Sequence, residues 1–271
     1  MFHSLLLLLW ATARCLGAPE WETLQVTWTP PGSTSNTGFD NMPRTEAHAV
    51  TEGWSKVSDC QETPKFAGKR YVKDGDTAVV LIYDVNGYIA GIQTGFESFN
   101  GYPYVGLLDQ PFVEYNGKEY ITAYFLDPST ICSRGRTAQE FATDGTGSDL
   151  WIQNSTQPRD SYKVPRLESD ISGTLWDKGR CFNTMGEHYW YDARLNSPCN
   201  KFFPVFLLYN GGQLDAFGWA FMATIASPRF EYPPSRAFGF FLDPVPRCLS
   251  KHTAGVTTLH IFLSSPRVST C

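Results

Sequence analysis

One pattern is written twice in this chain, and that constrains its fold more than anything else. Leu81 to Phe96 reads LIYDVNGYIAGIQTGF, and Leu207 to Phe221 reads LLYNGGQLDAFGWAF. Each is an apolar run, an Asn/Asp/Gly break and a second apolar run, the pattern of a β-hairpin. Further blocks recur around both in the same order. Trp54-x-Lys56 and Cys60 match Trp176-x-Lys178 and Cys181, and Ala67 to Tyr71 matches Met185 to Tyr189. Beyond the hairpins, Pro111 to Tyr115 matches Pro228 to Tyr232. Tyr124 to Cys132 matches Phe240 to Cys248 with one Asp-to-Cys spacing. Gly147 to Ile152 pairs with Val256 to Ile261 as a closing strand in each copy.

A period of about 120 residues means two units, not a solenoid array. The expected fold is mainly β, a β-rich α+β class with little helix. Two tandem homologous units pack about a pseudo-twofold axis into one compact body, because a small sheet must bury one face. An aromatic content of 15% suits strands and buried aromatic surfaces. The reading divides the chain into a signal peptide (1–17), an N-terminal arm (18–53), unit one (54–156), a surface linker (157–173) and unit two (174–271). Thr137 to Ala142 is expected to be helical. The segment after Pro234 carries signals for both a short helix and a strand, and the strand is followed by analogy with KEYITAYFL in the first copy.

Met1 to Gly17 has the apolar core and small cleavage-site residues of a secretory signal. No later stretch reaches the roughly 20 apolar residues of a membrane span. Cys15 leaves with that signal, and Cys60, Cys132, Cys181, Cys199, Cys248 and Cys271 remain, an even set suited to disulfides. Symmetry between the copies suggests Cys60–Cys132, Cys181–Cys248 and Cys199–Cys271, with cross-pairing as the alternative. Asn154-Ser155-Thr156 is a glycosylation acceptor. A formal net charge of −5 gives no basic face for a nucleic-acid partner.

His188, inside MGEHYWYD, is the candidate catalytic residue, as a general base near neutral pH. Arg70 holds the matching place in the first copy; the plainer reading is a solvated or salt-bridged strand residue at both. Tyr189, Trp190, Tyr191 and Trp219 are candidate ligand-binding residues for an apolar pocket, with core packing as the competing role. His260 matches Trp151 and reads as packing. Asp127 and Asp243, each before Pro, read as strand ends rather than an acid pair. Histidines at metal-ligand spacing and Gly-x-Ser-x-Gly are both lacking, so no metal and no cofactor is expected.

The block GEHYWY followed by FFPVFLLYN, with AYFLDPSTIC, resembles a family of secreted invertebrate proteins. That resemblance implies an extracellular animal protein and brings no fold or activity with it. Two functions are carried forward. The first is a secreted, disulfide-stabilised glycoprotein acting by binding, as an extracellular matrix component or a carrier of a small apolar ligand. The second is a secreted enzyme, a hydrolase or an oxygen-using oxidoreductase such as a luciferase, with His188 as its base.

Overall fold

The computed structural model describes residues 21–27, 38–99, 101–104 and 111–265. The expected signal peptide, Cys15, Cys271 and residues 28–37 of the expected arm lie outside them. In chain order the elements begin with β1 (Gln25–Thr27), β2 (Asp40–Asn41) and helix α1 (Glu46–Thr51). Next come β3 (Trp54–Ser58), β4 (Lys69–Lys73), β5 (Asp76–Tyr83) and β6 (Ile89–Glu97). After β7 (Val113–Tyr115) and β8 (Lys118–Tyr124) come α2 (Pro128–Ile131) and α3 (Ala138–Asp144). The short strands β9 (Trp151–Gln153) and β10 (Ser161–Lys163) follow. The chain continues through β11 (Trp176–Phe182), β12 (Gly186–Tyr191), β13 (Val205–Asn210), β14 (Gln213–Phe221) and β15 (Thr257–Phe262). The fold is β-rich, and no described helix is long and apolar enough to cross a membrane.

These strands make two antiparallel sheets. The first runs β10-β9-β8-β6-β5-β4-β3, with β7 paired to β8, and the second runs β11-β12-β13-β14-β15-β1-β2. β-Branched and aromatic runs such as AVVLIY and VFLLY favour these pleated, buried positions. Each central hairpin turns on glycine in the left-handed region, Gly87 at φ 85° and Gly212 at φ 80°. The sheets meet through one apolar core, where Phe96 lies 5.2 Å from Phe221 and Phe125 6.3 Å from Phe217. Each such side chain, once buried, contributes roughly 1.5–3 kcal/mol.

The two four-strand meanders agree in register. Arg70 faces Ile82 across β4 and β5, and His188 faces Leu208 across β12 and β13. A bulge falls between Ile82 and Tyr83 and again between Leu208 and Tyr209. The Tyr83 hydroxyl donates to the Pro43 carbonyl at 2.7 Å, and the Tyr209 hydroxyl donates to that of Pro165 at 2.5 Å.

Several expectations are corrected here. The described part of the 18–53 segment is not an arm laid over the body: β1 and β2 complete the second sheet, and Trp21 is buried. Nor is 157–173 a surface linker. It supplies β10 to the first sheet, then Pro165-Arg166-Leu167-Glu168, which docks as Pro43-Arg44-Thr45-Glu46 does. Ile89 N–H donates to Arg44 and Leu214 N–H to Arg166, both at 2.9 Å. Glu46 accepts from Tyr71 and Lys69, while Glu168 accepts from Tyr189 at 2.7 Å and Lys178 at 3.3 Å.

The closing-strand match shifts as well. β15 pairs with β14 as β8 pairs with β6, and the strand beyond it, where the first sheet has β9, is β1. The expected strand after Pro234 is instead a 3₁₀ turn over Ser235–Phe240. Pro233 and Pro234 donate nothing to a ladder, and the segment leaves the sheet.

Cys60–Cys132 forms as expected, with Cα atoms 5.5 Å apart. Cys248 pairs with Cys199, not Cys181, at a Cα separation of 5.6 Å. Its segment crosses the outer face of the second sheet, touching β11 where the Phe241 carbonyl accepts from Arg180 N–H, and continues to Cys199 in the turn before β13. Cys181 is itself disulfide-bonded.

Candidate functional site

Strand alternation decides which side chains reach the site, because successive residues point to opposite faces. On β12 the even-numbered His188 and Trp190 point away from the inter-sheet core, as do Phe206 on β13, Ala220 on β14, and Thr258 and His260 on β15. Together they floor a cavity of about 240 Å³ on the outer face of the second sheet. Its roof is the irregular strap from Pro233 to Leu249, with Phe238, Phe241 and Leu242 facing down, and Met185 and Met222 close its sides. The strap is pinned where the Phe241 carbonyl accepts from Trp190 Nε1 and from Arg180 N–H, both at 3.0 Å. Arg180 also reaches Asp243 at 3.0 Å, and the Cys199–Cys248 disulfide ties the far end.

The wall is almost wholly apolar. Its polar groups are His188, Glu231, Thr258 and His260, each buried. Glu231 is held by backbone hydrogen bonds to Thr258 in both directions at 2.9 Å. Its Oε2 accepts from His260 Nδ1 at 2.7 Å and from Thr258 Oγ1 at 3.0 Å, while its Oε1 has no partner. His188 Nδ1 faces two carbonyls, Arg180 at 3.1 Å and Gly186 at 3.2 Å, so Nδ1 carries the proton. The lone pair on its Nε2 is buried and unpartnered. Burial, and after it the neighbouring His260, push the His188 pKa down to about 3. At physiological pH it is a neutral acceptor.

On the matching face of the first sheet the equivalent place is filled by side chains. Arg70 occupies the place of His188 and is stacked over Phe66 at 4.5 Å and Tyr120 at 4.7 Å. Its Nε donates to Gln93 at 2.8 Å, and Gln93 donates to Thr122 at 2.7 Å. In the second sheet these positions are His188, Gly218 and His260. At Gly218 a side chain would run into the Phe206 ring, so glycine there keeps the cavity floor low.

The sequence-based candidates therefore separate. His188 and Trp190 line the cavity. Tyr189 points the other way, its hydroxyl bound to Glu168 and its ring 5.3 Å from Tyr209. Tyr191 packs against Phe203 and Trp176 on that same face, at 4.7 and 5.2 Å. Trp219 is sealed in the inter-sheet core, 5.3 Å from Phe217. Glu187 and Asp192 do not serve His188, since Glu187 pairs with Lys178 at 3.4 Å and Asp192 with Arg194 at 2.7 Å.

As a general base His188 is displaced by its own burial, which leaves it too weak to hold a proton near neutrality. His260, read from sequence as packing, instead joins Glu231 at the site. Asp127 caps α2 by accepting from Ser129 N–H at 2.9 Å, the strand-end role expected of it. Among the described residues no three His, Cys, Asp or Glu converge as metal ligands. Comparison with protein families, with characterised proteins and with solved structures gives no match.

Proposed function

We propose that the chain is a secreted, disulfide-stabilised binding protein that holds one small apolar ligand under the 233–249 strap. The observation that carries this reading is the concave aromatic cavity with a single polar corner, the form most small-molecule sites take. An engineered apolar cavity of about 150 Å³ takes up benzene. A space of about 240 Å³ suits a ligand of one ring with a substituent, or two small fused rings. The disulfides fit an oxidising compartment, and Asn154 is exposed as a glycosylation acceptor must be. The extracellular assignment is part of the proposal.

The common order, register and bulges support descent of both sheets from one copied unit. In that history the first copy filled its outer face with Arg70, Gln93 and Tyr120, and the second opened a pocket at the same place.

Calorimetric titration with toluene, indole and naphthalene tests the binding role. Saturable binding at one site is expected. Ala220→Phe, which fills the floor, should weaken it at least about tenfold with the far-UV spectrum unchanged. Folded protein that binds none of the three contradicts the reading.

One further observation supports a second reading. The His260–Glu231 pair has the arrangement of an imidazole oriented by a carboxylate, the core of many proton-transferring sites. An enzyme built here would abstract a proton with His260. Thr258, the only hydroxyl among the lining residues, is already committed to Glu231.

A further inference from the structure

Resting on the binding role proposed above, the geometry points to the class of ligand: a small, neutral aromatic molecule that presents a hydroxyl or N–H donor to the polar corner. The corner is unbalanced. It holds two buried acceptors with no donor, Glu231 Oε1 and His188 Nε2, while the donors seen on its two histidines are already spent, His188 Nδ1 on backbone carbonyls and His260 Nδ1 on Glu231 Oε2. A buried acceptor left bare is costly, and a ligand that brings the missing donor recovers that cost on binding. A ligand without one leaves it unrecovered.

The rest of the wall sets the remaining features. Phe206, Phe241 and Trp190 surround the His188 ring at centroid distances of 5.7, 5.1 and 6.2 Å, and flat aromatic faces favour a flat aromatic guest. The corner also argues for a neutral guest. Glu231 is the only carboxylate among the lining residues, and it is already engaged by His260 Nδ1 at 2.7 Å. An ammonium group would have to share that carboxylate with an imidazole at a corner whose polar groups are buried, and a buried charge without its own partner is strongly disfavoured. Phenols and indole-type N–H compounds meet all three requirements.

The test compares p-cresol with two analogues of nearly the same shape: toluene, which lacks the oxygen, and 4-methylanisole, whose oxygen cannot donate. Calorimetric titration of the intact protein should show p-cresol binding at least about tenfold tighter than either. In Glu231→Gln the amide turns its N–H₂ toward the position of Oε1, leaving His188 Nε2 as the one bare acceptor, so the advantage of p-cresol over 4-methylanisole should shrink while toluene still binds. The wild-type ratio stands as a test even if that variant fails to fold. If toluene or 4-methylanisole binds as tightly as p-cresol, the donor inference is overturned and the cavity reading survives. Tyramine binding more tightly than p-cresol would overturn the neutral class. If none of these compounds binds, the cavity reading falls and this inference with it.

Discussion

Arg70 and His188 hold the same register position in two sheets and meet burial in opposite ways. Arginine keeps its charge at any accessible pH, so Arg70 needs aromatic faces and the Gln93 carbonyl around its guanidinium. Histidine gives its charge up. With a folded pKa pushed down to about 3 against an ordinary 6.5, His188 takes its proton later than the unfolded chain does as pH falls. Its contribution to stability is therefore whole above about pH 6.5 and is lost between 6.5 and 3, at up to ~1.4 kcal/mol per pH unit. Urea midpoints should fall over that range, and His188→Gln should flatten the fall. A His188 resonance titrating near 6.5, or an unchanged slope in the variant, would contradict the assignment. At this scale the sequence pointed to His188 because its residue type stood out in an aromatic block. Strand alternation would also have parted Trp190 from Tyr189 and Tyr191. Glu231 and His260 were hidden, because the contact between them joins positions 29 residues apart that no local pattern links.

At the scale of elements, the strap over the cavity is where the two sheets differ most. In the first sheet β7 turns through Asn116-Gly117 directly into β8. In the second, Glu231 pairs with Thr258 at the matching place, and between them Pro233-Pro234 takes the chain off the sheet and Ser235–Phe240 coils over the outer face. The two prolines are visible in the sequence, but likeness to KEYITAYFL predicts a strand there, whereas the structural counterpart of KEYITAY is β15. The same lifting carries Cys248 to Cys199 and breaks the disulfide symmetry expected from matched blocks. Leu249, beside Cys248, lines the cavity, so this bond holds the roof as well as the fold. Removing it in the Cys199→Ala, Cys248→Ala variant should cost about 2–4 kcal/mol of stability in urea titration, given a closed loop of this length. Toluene affinity should fall with it. Affinity unchanged at lowered stability would mean that the roof is held by Trp190 and Arg180 alone.

Across the whole molecule, each sheet is finished by the other half's leading strands. β1 and β2 precede the first meander and lie on the second sheet; β9 and β10 precede the second meander and lie on the first. This exchange explains why the hairpins were legible in sequence and the unit boundaries were not. The hairpins are local, whereas Pro-Arg-x-Glu, which opens each meander, stood in segments whose Pro and polar content resembled linker. The central claim is that the second sheet, and not the core between sheets, holds the ligand space. Methionine methyl groups report on it directly: Met185 and Met222 line the cavity, while Met42 is buried just after β2 and is not among the lining residues. Labelled at the ε-carbon and titrated with toluene, the protein should show ring-current shifts at Met185 and Met222 with Met42 unmoved. Equal shifts at all three, or none at any, would contradict the account.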